Sequence, residues 1–192
     1  KDHPSVSEVY VFPNMGDGGL SIGSAWLAHA ELTGNKPDAL DTMLLGNSVS
    51  DGKILTELKK TTLHYQKKTS INKEIAKLLS KGEVVVRVSG SMEFGPRALG
   101  NRSILYQASD STVNTWLNQY LNRSEFMPFA PMTIIDDVDK YYMNINGGMA
   151  PAKYMTMTFD CTKCMTDEAP ATVHVDKTAR PQFITKSDYP DM

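Results

Sequence analysis

The sequence contains few cysteines, no long apolar run and no marked excess of charge of either sign. Two cysteines in 192 residues are too few for a disulfide framework. The longest strongly apolar stretches are the size of a β-strand, well below the ~18 residues that a membrane span requires. A formal net charge of −2 gives no general attraction for polyanions. We therefore expect no disulfide-stabilised secreted domain, no membrane association and no nucleic-acid partner.

The two cysteines, Cys161 and Cys164, form an isolated Cys-x-x-Cys pair. A structural zinc ion needs a second pair of ligands, which this motif lacks. The residues around the pair do not resemble the strand-to-helix context of a thioredoxin-type redox motif. We interpret both as free thiols and expect a cytoplasmic protein.

The length and the composition indicate one folded domain, or one domain with a remnant of another. Single cores usually run to ~100–200 residues, and a hydrophobic share of 41% with a charged share of 22% is typical of chains that fold in water. The chain begins at Lys1, without an initiator methionine or an apolar secretory segment. We therefore expect it to be a fragment of a longer polypeptide.

Apolar periodicity and turn residues predict a mixed α/β sheet domain from about residue 52 onward. Before it, residues 33–50 are rich in glycine, asparagine and proline and have little periodicity, which indicates a linker. The predicted helices cover residues 20–30, 70–81, 112–121 and 137–143. The predicted strands cover residues 9–12, a buried segment at 83–88, and residues 104–106, 129–135, 156–159, 172–175 and 182–185.

Arginine is rare and concentrated in one region. It occurs five times among 20 basic residues, and four of the five fall between Arg87 and Arg123. The planar guanidinium suits bidentate recognition of phosphate or carboxylate, and the neighbouring glycines allow backbone N–H groups to approach an anion closely. This pattern favours an anion site; the alternative that the arginines pair with acidic side chains stays open. The residues involved are Arg97, Arg102, Ser103 and Arg123, with Gly95 and Gly100 beside them and no Walker A signature.

Two other constellations carry ionisable groups. On a strand, His174, Asp176 and Thr178 would share one face, where they would bind a metal, a phosphate or a ribose, or only each other. Asp17 lies in a glycine-rich turn between a predicted strand and a predicted helix. It fits either a metal or phosphate site or the cap of the helix.

Three motifs in chain order resemble the C-terminal domain of the carbamoyltransferase family, which includes the nodulation-protein U type and the antibiotic O-carbamoyltransferases. They are GSMEFGPRALGNRSIL at residues 90–105, the stretch at 118–131, and HVDKTARPQ at 174–182. The resemblance implies a YrdC-like twisted open mixed sheet with flanking helices over residues 52–192, truncated at its end. Residues 1–35 are similar to the last strand, turn and helix of an actin/hexokinase-like acceptor domain, with a linker at 36–51.

The resemblance implies a two-stage reaction. The YrdC-like domain would use ATP with Mg²⁺ and carbamoyl phosphate to form carbamoyl adenylate. The acceptor domain, with an iron-type divalent metal, would pass the carbamoyl group to a hydroxyl of a sugar-like acceptor. By motif position, the resemblance implies that the phosphates contact Arg97, Arg102 and Ser103, with Arg123 in support. It implies that the nucleotide or carbamoyl pocket is lined by His174, Asp176, Thr178 and Arg180. It also implies that Asp17 is a metal ligand; the histidines that complete this metal site are expected upstream of Lys1, so we expect the metal to be absent from this fragment.

The chain departs from the family pattern at two places. Where many members have Lys-x-Arg-Glu-x-x-Arg-Pro, residues 121–128 keep only Arg123 as a basic residue. The glycine that usually follows His-x-Asp is Lys177 here, which argues against a positive φ at this position or adds a cation to the site. The missing basic residues keep open the alternative of a catalytically silent nucleotide-binding module. A separate alternative is carbamoylation of a protein thiol, as in hydrogenase maturation, although the zinc-finger and acylphosphatase-like signatures of those relatives are absent.

Overall fold

The computed structural model describes residues 1–38, 40–122 and 128–190. It contains the helices α1 Asp17–Thr33, α2 Asp51–Leu58, α3 Ile71–Leu79, α4 Val113–Tyr120, α5 Val138–Tyr141, α6 Met149–Ala152 and α7 Lys163–Glu168. It also contains the strands β1 Val85–Val88, β2 Arg102–Leu105, β3 Met132–Ile134, β4 Phe159–Asp160, β5 Thr178–Ala179 and β6 Gln182–Ile184, and two short 3-10 helices. The predicted mixed α/β class is therefore confirmed.

Contacts within the chain divide it into two compact units. The central unit is Gly16–Tyr106, and the flanking unit is Lys1–Met15 together with Gln107–Met192. The central unit contains α1 to α3 with β1 and β2, and the flanking unit contains the remaining elements. The domain boundaries given above from the sequence stay a prediction.

The central unit begins with its longest helix. α1 ends at Gly34, whose φ of 72° is left-handed and whose N–H donates to the carbonyl of Ala30, a usual way to close a helix. The helix predicted at 70–81 is confirmed as α3, and α2 lies just beyond the predicted linker. Within the described ranges, no helix is both long enough and apolar enough to cross a membrane.

The small sheet of the central unit pairs β1 with β2 in antiparallel register, from Val85 opposite Leu105 to Val88 opposite Arg102. The predicted strand is confirmed, but its predicted burial is wrong. Val86 and Val88 are 71% and 63% exposed, whereas Arg87 between them is 8% exposed. Side chains alternate between the two faces of a strand, so the covered face of β1 is the one that holds the arginine.

The flanking unit has the larger apolar core. β3 pairs with β6 in parallel, and β4 pairs with β5 in antiparallel. Three aromatic rings meet between these strands, because the ring of Phe183 lies 5.2 Å from Tyr142 and 5.6 Å from Phe159 between centroids. The buried hydroxyl of Tyr142 is hydrogen-bonded to the hydroxyl of Thr133 at 2.8 Å, so the core leaves this polar group satisfied.

Two predicted strands are wrong. Residues 9–12 form no regular element; at this segment Val9 donates its N–H to the carbonyl of Gly147 at 2.8 Å. The strand predicted at 172–175 is replaced by the 3-10 helix Pro170–Thr172 and a turn after it. The turn forms because the N–H of His174 bonds to the carbonyl of Thr178 at 2.7 Å, which brings the chain back on itself.

Candidate functional site

The arginine loop, residues 89–101 between β1 and β2, is organised around the carboxylate of Glu93. Its Oε1 accepts hydrogen bonds from the backbone N–H groups of Leu99 at 2.9 Å, Asn101 at 2.8 Å and Arg102 at 2.9 Å. Burial of the carboxyl group would raise its pKa, but the backbone donors outweigh burial, so the pKa of Glu93 lies below its usual value. The loop is thus folded around a half-buried negative charge of its own.

The guanidinium of Arg102 connects the two ends of the arginine loop. Its Nη1 donates to the carbonyl oxygens of Ser89 at 2.7 Å and Asn101 at 2.9 Å, and its Nη2 donates to that of Gly90 at 3.2 Å. These acceptors are backbone carbonyls, not the acidic side chains that sequence reasoning offered as the alternative to an anionic ligand. A contact between Arg102 and phosphate stays a prediction.

The glycines of the arginine loop adopt conformations that other residues rarely reach. Gly95 and Gly100 have φ values of 104° and 107°, far from the regions open to residues with a Cβ. The N–H of Gly100 donates to Oγ of Ser103 at 2.9 Å. The side-chain amide of Asn101 also donates to the carbonyl of Ser91 at 2.9 Å. Four consecutive backbone N–H groups, at residues 99–102, are therefore used inside the loop itself.

Arg97 lies in the arginine loop between Gly95 and Gly100, and it differs from Arg102 in its hydrogen bonding. Within the described part of the chain, its buried Nε atom has no hydrogen-bond partner. A buried guanidinium nitrogen without a partner is costly, and an anionic ligand would satisfy it. The fourth predicted phosphate residue, Arg123, lies outside the described residues.

The second group of predicted site residues lies in the flanking unit. Asp176 Oδ1 accepts hydrogen bonds from the backbone N–H of Thr178 at 3.0 Å and from its hydroxyl at 2.8 Å. Nδ1 of His174 lies 3.0 Å from the same hydroxyl oxygen. The structure therefore brings the three residues together as predicted, but by a turn over residues 174–178; the prediction that they alternate along one strand is wrong.

The electrostatics of this turn follow from these contacts. The N–H and the hydroxyl of Thr178 lower the pKa of Asp176. The pKa of His174 is lowered mainly by burial, with the nearby Asp176 opposing and Arg180 reinforcing the effect. His174 is therefore neutral at pH 7, while Asp176 is ionised. Arg180 follows β5 directly and is close enough to act on the imidazole.

Lys177 occupies the left-handed position of this turn. Its φ is 64°, although the side chain is not glycine, and its N–H donates to the carbonyl of His174 at 2.9 Å. The backbone conformation that the family pattern assigns to glycine is thus kept by a lysine. Such a conformation costs a residue with a Cβ roughly 1–2 kcal/mol.

Asp17 is the first residue of α1 and is exposed. Within the residues that the structure describes, no group of three or more histidine, cysteine or acidic side chains is arranged to hold a metal ion. One carboxylate is too few ligands for an iron-type metal, so the residues present do not fit that group. The role of Asp17 as a metal ligand stays a prediction.

Sequence reasoning considered Glu93 only as a partner for arginine side chains. The signal that identifies its role is an acidic residue in a loop with two glycines, because the N–H groups of such a loop need an acceptor.

The two cysteines are free thiols, as predicted, and burial foremost raises the pKa of Cys161 to about 11. A thiol with so high a pKa is a poor nucleophile at neutral pH.

Comparison with known proteins gives one family and several curated relatives. Residues 76–192 match the family described as Carbamoyltransferase C-terminus. An uncharacterized protein of Methanocaldococcus jannaschii is 33% identical over 192 residues, covering 96% of this chain and 31% of that protein. Nodulation protein U of Azorhizobium caulinodans is 32% identical over 182 residues, covering 94% and 30%. Nodulation protein NolO of Bradyrhizobium diazoefficiens is 28% identical over 189 residues, covering 95% and 34%.

These matches extend beyond the family region. Each covers more than nine tenths of this chain, so the similarity includes residues before position 76, where the family match begins. The chain spans about a third of the length of the curated relatives it matches.

We expect Glu93→Gln to destabilise the central unit by about 1–3 kcal/mol at pH 7, because three backbone donors lose a charged acceptor. The pKa of Glu93 is lower in the folded state than its ordinary value of 4.5, so its contribution is fully present above that value and is lost as the pH falls through the folded-state pKa. Urea unfolding of wild type and variant between pH 3 and 7 measures this. The matched control is Glu83→Gln, at an exposed position; equal losses in both variants would contradict the prediction.

We expect Lys177→Gly to stabilise the flanking unit by about 0.5–1 kcal/mol. Relief of the left-handed conformation is worth roughly 1–2 kcal/mol, and the greater freedom of glycine in the unfolded chain takes back about 0.4–1 kcal/mol. Lys177→Ala keeps a Cβ and should change little, whereas Lys177→Val should destabilise. Thermal and urea unfolding measures the order of stability of the three variants. A glycine variant that is less stable than the alanine variant would contradict the prediction.

Proposed function

This chain belongs to the carbamoyltransferase family, and from that premise we propose that it activates the carbamoyl group as carbamoyl adenylate, which the full-length polypeptide transfers to a hydroxyl of a sugar-like acceptor. The observation that carries the proposal is the family match over the segment that contains the arginine loop and the 174–178 turn. Two relatives with similarity along almost the whole chain are named nodulation proteins U and NolO.

The proposed activation step consumes ATP, carbamoyl phosphate and one water molecule. Water releases phosphate from carbamoyl phosphate and leaves carbamate. A carbamate oxygen then attacks the α-phosphorus of ATP; the bond between the α-phosphorus and the bridging oxygen to the β-phosphate breaks, and pyrophosphate leaves. Negative charge moves toward the leaving group in this step. Electrostatic stabilisation by fixed cations and Mg²⁺ therefore contributes more to catalysis than proton transfer does.

The arginine loop suits this chemistry through Arg97. Its neighbours Gly95 and Gly100 hold the backbone in left-handed conformations, and the carboxylate of Glu93 uses the N–H groups on the far side of the loop. The N–H groups of Leu99 and Asn101 are therefore not offered to a phosphate. Arg97 has a buried donor without a partner, so we assign it the main phosphate contact, with Arg102, Ser103 and Arg123 in support.

The remaining parts of the proposal concern the rest of the molecule. A YrdC-like domain would cover residues 52–192, of which residues 76–192 lie in the family match, and residues 1–35 would be a remnant of the acceptor domain. ATP would enter with Mg²⁺, and an iron-type metal would belong to the acceptor domain of the full-length polypeptide. The free thiols support a cytoplasmic location.

A second candidate function is a nucleotide-binding module without catalysis. It is favoured by the guanidinium of Arg102, which donates three of its five N–H groups to backbone carbonyls, so that two N–H groups remain for a phosphate. It is also favoured by residues 121–128, where Arg123 is the only basic residue of the family pattern that is present.

Pyrophosphate release separates the two functions. We expect the full-length polypeptide to release pyrophosphate from MgATP only when carbamoyl phosphate is present, without any acceptor, because adenylate formation requires both substrates. A phosphate assay run with and without inorganic pyrophosphatase measures it, because only the difference between the two reports pyrophosphate and not the phosphate released from carbamoyl phosphate; carbamoyl phosphate is omitted as the control. ATP binding without any release would support the non-catalytic module and overturn the proposed activity.

Arg97 in the loop and Arg102 at the start of β2 should respond differently to substitution. We expect Arg97→Ala to reduce carbamoyl-phosphate-dependent pyrophosphate release by about 100-fold or more, the usual effect of losing a charge-stabilising donor, with little change in stability. Arg102→Ala should lower the unfolding midpoint, because three carbonyl contacts are lost, and Arg102→Lys should not restore it, since an ammonium group lacks the fork of donors. Activity and urea unfolding are measured on the same preparations. Unchanged turnover in folded Arg97→Ala would remove this residue from the site.

A further inference from the structure

The hydrogen bonds of the 174–178 turn determine which nitrogen of His174 carries the proton. Thr178 has one hydroxyl proton, and it is donated to Oδ1 of Asp176 at 2.8 Å. An ionised carboxylate has no proton to give back. The hydroxyl oxygen of Thr178 can therefore only accept from Nδ1 of His174, 3.0 Å away. The donors run in one direction, from His174 through Thr178 to Asp176.

This direction leaves the other imidazole nitrogen as an acceptor. In a neutral histidine one ring nitrogen donates and the other accepts, so a proton on Nδ1 gives Nε2 a free lone pair. None of the hydrogen bonds among the described residues of the chain involves Nε2 of His174. Burial lowers the pKa of His174, which keeps this lone pair available at neutral pH.

We propose that Nε2 of His174 accepts a hydrogen bond from an amino group of a bound substrate, and that Thr178 and Asp176 act as positioning residues that fix the imidazole in this state. The inference rests on the proposed function, whose substrates contain two groups of this chemistry: the NH₂ of the carbamoyl group and the 6-amino group of adenine. Both nitrogens are conjugated, so they donate hydrogen bonds and do not accept them. An imidazole fixed as a donor at the same position would repel either one.

An acyl phosphate without an amino group distinguishes this contact. With a methyl group in place of the carbamoyl NH₂, the substrate leaves the lone pair of His174 without a partner.

The first part of the test is spectroscopic and does not depend on activity. In the ¹⁵N-labelled protein at neutral pH, the ring-nitrogen shifts of His174 should show the proton on Nδ1. Thr178→Val removes the accepting hydroxyl and should release this preference, while Thr178→Ser keeps the hydroxyl and should preserve it. A wild-type proton on Nε2 would overturn the inference, whatever the enzyme does.

The second part compares substrates with and without an amino group, in the full-length polypeptide. We expect His174→Ala to lower kcat/KM for carbamoyl phosphate and ATP by about tenfold. The analogues are acetyl phosphate, and purine riboside triphosphate in place of ATP; where an analogue does not react, its inhibition constant is used. If the penalty disappears with acetyl phosphate, the carbamoyl NH₂ is the donor; if it disappears with the purine analogue, the adenine amino group is. An equal penalty for every substrate overturns the inference.

Two controls separate an acceptor from a structural role and from a base. His174→Gln places a carbonyl oxygen near the position of Nε2 and should recover most of the lost kcat/KM, although an amide cannot act as a base; failure to recover in a folded variant counts against the acceptor. His64→Gln changes an exposed histidine of the central unit and should leave kcat/KM unchanged. If wild type shows no carbamoyl-phosphate-dependent release at all, the proposed function has failed, and the spectroscopic result stands as a separate answer.

Discussion

The carboxylate of Glu93 is the interaction on which the arginine loop depends. Three backbone N–H groups converge on one of its oxygens, and they come from the part of the loop where glycine conformations leave N–H groups without a helix or sheet partner. Thirteen residues of irregular chain between two strands would otherwise carry unsatisfied donors. The guanidinium of Arg102 does the reverse and collects the loop carbonyls. The carboxylate of Glu93 and the guanidinium of Arg102 thus form the hydrogen bonds with the backbone that a helix or a sheet would otherwise provide.

The turn at residues 174–178 uses the same principle on a smaller scale. Asp176 accepts from the backbone and the hydroxyl of Thr178, and the hydroxyl in turn orients His174. Lys177 holds the left-handed position that closes the turn. In both places an ionised carboxylate determines the direction of the hydrogen bonds around it. The direction matters for chemistry, because it decides which atoms remain free to meet a ligand.

The sequence predicted some parts of this molecule well because they rest on local rules. The helix α3 follows from apolar spacing and β1 from a run of β-branched residues, and the clustering of arginine located the loop. The burial of β1 could not be predicted this way, since alternation gives two faces and does not say which one is covered: the valines are exposed and Arg87 is not. The turn at His174 was missed because apolar β-branched residues at 173 and 175 favour a strand, whereas the bonds of Thr178 that oppose it are formed only in three dimensions. Glu93 was underestimated for a similar reason, because its partners are backbone N–H groups, which the two glycines of the loop indicate only indirectly.

The internal use of backbone donors constrains how the loop can recognise a phosphate. Glycine-rich phosphate loops usually bind with their N–H groups, but here the N–H groups of Leu99 and Asn101 are bonded to Glu93, and that of Gly100 to Ser103. A phosphate could use them only by displacing the loop's own carboxylate, at the cost of a second negative charge nearby. Among the side chains of the described residues of the loop, Arg97 has a buried donor without a partner. Guanidinium groups only donate hydrogen bonds, so an arginine can contact the oxygens of an anion but cannot accept a hydrogen bond from a ligand.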